Sequence, residues 1–177
     1  MTNQNSILVN RVQKIYKKIC IVPAVIAAIT IAIMMLSTVL DATSRYLLNR
    51  PLPGVFELNE VILVVCVYMS IAWTQMERGH IRVTAFILRF SETNKAKLNM
   101  VSWFITFLFV FIVGIESFIA AKESFLAREF RWGSVQMPIW WAKMLVPIGL
   151  SMLGIQLLID IWKEIEFIKG RIEKPND

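Results

Sequence analysis

Arg45-Tyr-Leu-Leu-Asn-Arg-Pro-Leu-Pro-Gly-Val-Phe-Glu-Leu-Asn-Glu60 joins two hydrophobic runs, each long enough to cross a membrane. The stretch carries two arginines, a Pro-x-Pro-Gly turn and two glutamates, the second already inside the next apolar run. A plain connector would need none of these. Charge at a membrane boundary is costly unless paired, so it marks a site or an interface. Asp41 and Arg45 are spaced i,i+4 where the first run leaves the membrane, and that spacing lets them pair. After the turn, Gly54 is the expected N-cap and Glu57 falls near N3. A carboxylate there gains roughly 0.3–1 kcal/mol from the helix dipole and the free N–H groups.

Working outward, apolar residues make up 56% of the 177, and mean hydropathy is +0.59. Both values lie far above those of a soluble domain. Four runs meet the requirement for a spanning helix, at about 19–40, 58–76, 100–121 and 139–162. The expected fold class is all-α integral membrane: a single four-helix domain over 1–177 with short amphipathic interfacial helices. One of these is expected at about 7–18, on the inner leaflet and running into the first span, where Leu8, Val12, Ile15, Tyr16 and Ile19 share a face. The other is expected at about 82–90, where Val83, Phe86, Ile87 and Phe90 do, with Arg82 and Arg89 flanking. The first apolar run is too long for a signal-peptide core and is read as a retained helix. The pattern of the third helix continues through Phe125 and Phe130, so that helix is expected to project or bend outward as far as Gly133.

Basic residues set the orientation. Thirteen Lys/Arg lie before the first run, between the second and third, and after the fourth; five lie in the other two connections. The positive-inside rule then puts both termini in the cytoplasm. The net charge of +6 is mostly topology and anionic-lipid contact, not a nucleic-acid signal. All six tryptophans fall near an expected interface, where amphipathic rings are enriched.

No enzymatic motif is present. His80 is the single histidine, which excludes a bis-histidine haem or two-histidine metal site within the chain. Cys20 and Cys66 lie in or at the edge of spans and have no metal spacing. What remains is intramembrane charge. Glu60, Glu116 and Lys143 each fall about one turn inside a span from the outer side, at similar expected depth. A charge at the bilayer centre costs about 2.5–3.5 kcal/mol on insertion scales, and a Glu116–Lys143 pair would relieve much of that. One reading of these groups is a proton or ion site. The other is a polar layer that fixes helix order or meets a partner, and the nearby neutralising lysine favours it. Asp160, near the inner end of the fourth run, is expected to be solvated or paired with Lys163. His80 beside a turn glycine is either a polar interfacial residue or part of a partner interface.

Arg45-Tyr, then Asn49-Arg-Pro-Leu-Pro-Gly-Val-Phe-Glu-Leu, then Arg78-Gly-His-Ile-Arg-Val resembles the small four-helix membrane subunit of tripartite ATP-independent periplasmic (TRAP) transporters. The Pro138…Trp140…Pro147 region resembles that family's last hairpin, and the likeness runs from about Arg11 to Trp162. The resemblance implies a scaffold role in a bacterial inner membrane, with no substrate ligand, metal or cofactor in this chain. It implies two partners: a large permease subunit carrying the substrate and sodium sites, and a periplasmic binding protein that delivers a carboxylate-bearing solute. Sialic acid is the first candidate solute, although no residue of this chain specifies it. Arg45, Arg50, Glu57, Glu60, His80, Glu116 and Lys143 then become candidate partner-interface or helix-order residues.

Two other readings compete. An autonomous proton-coupled transporter would form a homodimer around Glu60 or Glu116. A membrane-embedded enzyme would need His, Cys or Asp clusters that the sequence lacks.

Overall fold

The computed structural model describes residues 2–77 and 92–169. Their elements, in chain order, are α1 (Thr2–Leu48), α2 (Val55–Met76), α3 (Glu92–Leu126), β1 (Phe130–Arg131), β2 (Met137–Pro138) and α4 (Trp140–Ile168). Each helix is long and apolar enough to cross a membrane, and the protein is an all-α integral membrane protein. The helix expected at 82–90 lies outside the described residues, as does His80.

No turn separates the segment at 7–18 from the span that follows; the two form one helix of 47 residues. At 1.5 Å per residue it is roughly 70 Å long, about twice the hydrocarbon thickness. The helix continues through Pro23. Its buried side chains are Val9, Tyr16, Cys20 and Ala27, a narrow stripe at spacings of seven, four and seven. Tyr16 and Cys20 cluster with Ala72 and Met76 of α2 and Ile159 of α4, and the Tyr16 hydroxyl donates to the Met152 carbonyl. These contacts hold the N-terminal part of α1 against the bundle, which is why it does not turn off as a separate helix.

The contacts give the topology. Cys20 groups with Ala72, Ala27 with Val65 and Met69, and Ser37 donates to Asn59 at 2.6 Å, so α1 and α2 are antiparallel. Gln75 meets Asp160 at 3.0 Å and Tyr68 meets Gly149, so α2 and α4 are parallel. Phe125 packs edge-on against Trp140 with ring centroids 5.5 Å apart, and Asn99 donates to Glu164 at 3.2 Å, so α3 and α4 are antiparallel. The dominant packing order is α1–α2–α4–α3. Burial follows from that order: 11% of the apolar window is buried in α1 and in α3, against 28% in α2 and 33% in α4. The two central helices approach closely at Gly149. A Cβ there would sit 2.9 Å from the Tyr68 carbonyl carbon, so any side chain would push α2 away.

α3 ends at Leu126, short of the expected Gly133. Arg128 takes a left-handed conformation (φ 48°), and the Glu129 N–H turns back to the Ser124 carbonyl at 3.0 Å. That geometry closes off the last carbonyls of the helix, as a left-handed cap does. The chain then makes an antiparallel hairpin, with Phe130 opposite Pro138 and Arg131 opposite Met137.

Candidate partner interface at the hairpin end

The hairpin lies at the end of the bundle where α1 stops, α2 starts, α3 stops and α4 starts. Asp41 organises the first connection. Its Oδ2 accepts from Arg45 Nε at 2.8 Å, the i,i+4 pair expected from the spacing. Its Oδ1 accepts the Leu52 N–H at 2.8 Å, and the Ser44 hydroxyl donates to the Arg50 carbonyl at 2.9 Å. The 49–54 turn is thereby tied back onto α1. Arg50 is exposed, and its guanidinium makes no ion pair among the described residues.

Gly54 is the N-cap of α2, with φ 84°, and Glu57 lies in the first turn as expected. Glu57 is buried, at 5% exposure, and its Oε1 accepts the Ser134 N–H of the hairpin loop at 2.6 Å. Gly133 makes that possible. A Cβ on Gly133 would lie 2.8 Å from Glu57 Cγ and collide with the carboxylate. The carboxylate therefore does more than favour the dipole of its own helix: it pins the loop between α3 and α4 onto the start of α2.

One turn deeper, Glu60 pairs with Arg131 from β1. Lys143, in the first turn of α4, pairs with Glu129 at 2.6 Å. The Lys143 ammonium holds the Glu129 carboxyl below its ordinary value of 4.5. Around this corner, the Arg128 guanidinium lies 4.9 Å from both the Phe125 and the Trp140 ring centroids, a cation–π contact on each. The hairpin thus supplies the counter-charges for α2 and α4.

Lys143 pairs with Glu129 and not with Glu116, the partner considered from the sequence. The register that sets Phe125 on Trp140 and Phe107 beside Gly154 puts Lys143 level with residue 121 of α3. Glu116 is about five residues, roughly 7 Å, too deep. Its side chain is exposed and makes no hydrogen bond or ion pair among the described residues. Glu60 and Lys143 both lie within the first two turns of α2 and α4, which run parallel; Glu116, ten residues before the end of α3, lies deeper.

The other end of the bundle holds a buried polar cluster around Asp160. Solvation, one of the two environments expected for Asp160, is excluded, because it is only 9% exposed. Its carboxylate accepts from Gln75 Nε2 at 3.0 Å and Gln156 Nε2 at 2.9 Å, bridging α2 and α4. Gln75 and Gln156 are buried in otherwise apolar runs, and that placement was the available signal. For Glu129, Arg131 and Ser134 the signal was weaker: a Gly-Ser turn with a charged residue on its approach. Nearby, Lys17 pairs with Glu77 at 2.7 Å and lies 5.2 Å from the Trp73 ring. No group of three or more His, Cys, Asp or Glu suited to a metal ion occurs among the described residues.

A family model described as the DctQ component of tripartite ATP-independent periplasmic transporters matches residues 34–167, from inside α1 to the last turn of α4. Among curated proteins, no sequence matches the chain.

Proposed function

Because this chain belongs to the DctQ component family of tripartite ATP-independent periplasmic transporters, we propose that it is the scaffold subunit of a sodium-coupled importer of a carboxylate-bearing solute. It packs against the large permease subunit in a bacterial inner membrane. Both termini face the cytoplasm, and the hairpin end receives the periplasmic binding protein. Sodium and solute bind in the large subunit; sialic acid is the first solute to try.

One observation carries the scaffold role. Glu57, Glu60 and Lys143, the charged side chains of α2 and α4 near the hairpin end, are all engaged by the hairpin segment of the same chain. A carboxylate committed to a fixed cation or amide is poorly placed to carry a solute or a proton through a cycle. It is well placed to hold a rigid outer surface. That surface presents Arg50 together with Tyr46 (86% exposed), Phe56 (71%) and Trp132 (76%), aromatic and arginine side chains of the kind enriched where proteins meet.

The test is reconstitution. Proteoliposomes holding this chain and the large subunit should take up the solute only when the binding protein and an inward sodium gradient are both present. The large subunit alone should be inactive. Transport by this chain alone, or full transport by the large subunit without it, would overturn the scaffold reading.

A further inference from the structure

Between Lys97 and Lys122, α3 runs through 24 residues in which Glu116 is the single ionisable side chain. Glu116 lies six residues before Lys122, about 9 Å into the span. Ile105 (62% exposed), Phe109 (67%) and Ile112 (55%) share its face of the helix and point away from the bundle. The hairpin counter-charges do not reach it: Arg131 is engaged with Glu60, and Lys143 with Glu129. Lys122 emerges roughly 120° around the helix. Glu123, seven residues on, lies on the same face as Glu116 and carries the negative charge out to the membrane boundary.

A carboxylate on a lipid-facing helix surface is costly, and such groups face a partner or a water-filled cavity in assembled membrane proteins. α3 is a flanking helix that packs chiefly on α4, so among the described residues no helix packs on its far side. The large apolar grooves give no comparable signal. The cavity of about 400 Å³ between α3 and α4 is lined by Phe107, Val110, Phe118, Leu150, Ile155 and similar groups, which lipid chains satisfy.

We infer that the face of α3 bearing Ile105, Phe109, Ile112 and Glu116 is the docking surface for a transmembrane helix of the large subunit, and that this helix presents a lysine or arginine at the depth of Glu116. The inference rests on the proposed function and adds to it which helix face meets the large subunit. The apolar side chains on either side exclude water from the pair, and the charges set the register of the two helices.

Photocrosslinking in the co-expressed complex tests the face. p-Benzoyl-phenylalanine at Phe109 or Ile112 should crosslink to the large subunit; at Ile155, in the α3–α4 groove, it should not. Charge tests the pair. Glu116→Lys should lower recovery of the large subunit with this chain about tenfold, and Glu116→Gln by less, with the amount of chain in the membrane unchanged. An acidic substitution for the basic residue on the crosslinked helix should restore recovery with Glu116→Lys. If Glu116→Lys does not accumulate, Glu116→Gln carries the test, because it preserves size and shape. Crosslinks from Ile155 alone, crosslinks only to a second copy of this chain, or undiminished recovery with Glu116→Gln and Glu116→Lys overturn the inference while the scaffold reading stands. Failure of the wild-type chain to co-purify with the large subunit overturns both.

Discussion

Glu60 and Glu129 at the hairpin end and Asp160 at the other end of the bundle are held in different ways. At the hairpin end, ion pairs form between a helix and a loop, Glu60 with Arg131 and Glu129 with Lys143, and each partner is 37–44% exposed on its side chain. At the other end, Asp160 is held between carboxamides from α2 and α4 and is nearly sealed from solvent. Exposed pairs contribute little, about 0–1 kcal/mol, and exchange readily with water. Buried polar groups contribute through the cost of leaving a partner unmatched. The Asp160 end therefore locks two helices together through a buried cluster, while the hairpin end holds its surface through several individually weak contacts.

The sharpest way to break that contrast is at Asp160. Asp160→Leu leaves the Gln75 and Gln156 amide groups buried without their acceptor and should cost about 2–4 kcal/mol. Asp160→Asn keeps the shape and an acceptor oxygen and should cost less. The measurement is the thermal or denaturant midpoint of the detergent-solubilised protein, with Glu60→Leu as the comparison at the hairpin end. Equal losses at Asp160 and Glu60 would erase the distinction between the ends. Replacing Gln75, Gln156 and Asp160 together by leucine should recover part of the loss, since removing the two carboxamides along with the carboxylate they donate to leaves fewer groups unmatched.

An intermediate effect is expected at Gly133, where the loop meets α2. Gly133→Ala drives a methyl into the Glu57 carboxylate and should cost about 1–3 kcal/mol through loss of the Ser134 bond. In a Glu57→Ala background the same substitution should be nearly neutral, because the clash has gone. A double-mutant cycle reads the coupling directly. Additive losses would mean that the hairpin is not held by Glu57, and the hairpin end would then owe its shape to the aromatic corner around Arg128.

Much of this was legible in the sequence, and what was not has a common cause. The four spans, the Asp41–Arg45 pair, the Gly54 cap and the first-turn position of Glu57 are local features, set by residues within a few positions of one another. That the N-terminal amphipathic segment runs into the first span was legible; what was hidden is the packing of Tyr16 and Cys20 on distant α2 and α4, which holds that segment against the bundle. The hairpin was hidden because strands of two residues are too short to show alternation, while Phe125 and Phe130 continue a helix-like pattern. Whether Glu116 and Lys143 pair was not legible, because depth counted along each helix says nothing of the register between them. That register is set by Phe125 on Trp140 and Phe107 beside Gly154, contacts between residues far apart in sequence.

The smallest expected effect is one of pH, at the hairpin end. Glu129 is held below 4.5 by Lys143, so the folded form binds its proton less readily than the unfolded chain does. The stability this contributes is complete above the ordinary glutamate value. It is lost as pH falls through the lower, folded-state value. Because both groups are about 40% exposed, the whole contribution is at most about 1 kcal/mol. Glu129→Gln should therefore leave the stability profile unchanged in shape from pH 5.5 to 8 and flatten its acid limb below about 4.5. High salt should reproduce part of the flattening in the wild-type chain, since the pair is open to screening. A Glu129→Gln profile that still falls as steeply in acid would assign that limb to other carboxylates. The Glu129–Lys143 pair would then serve to position the hairpin over α4 rather than to stabilise it.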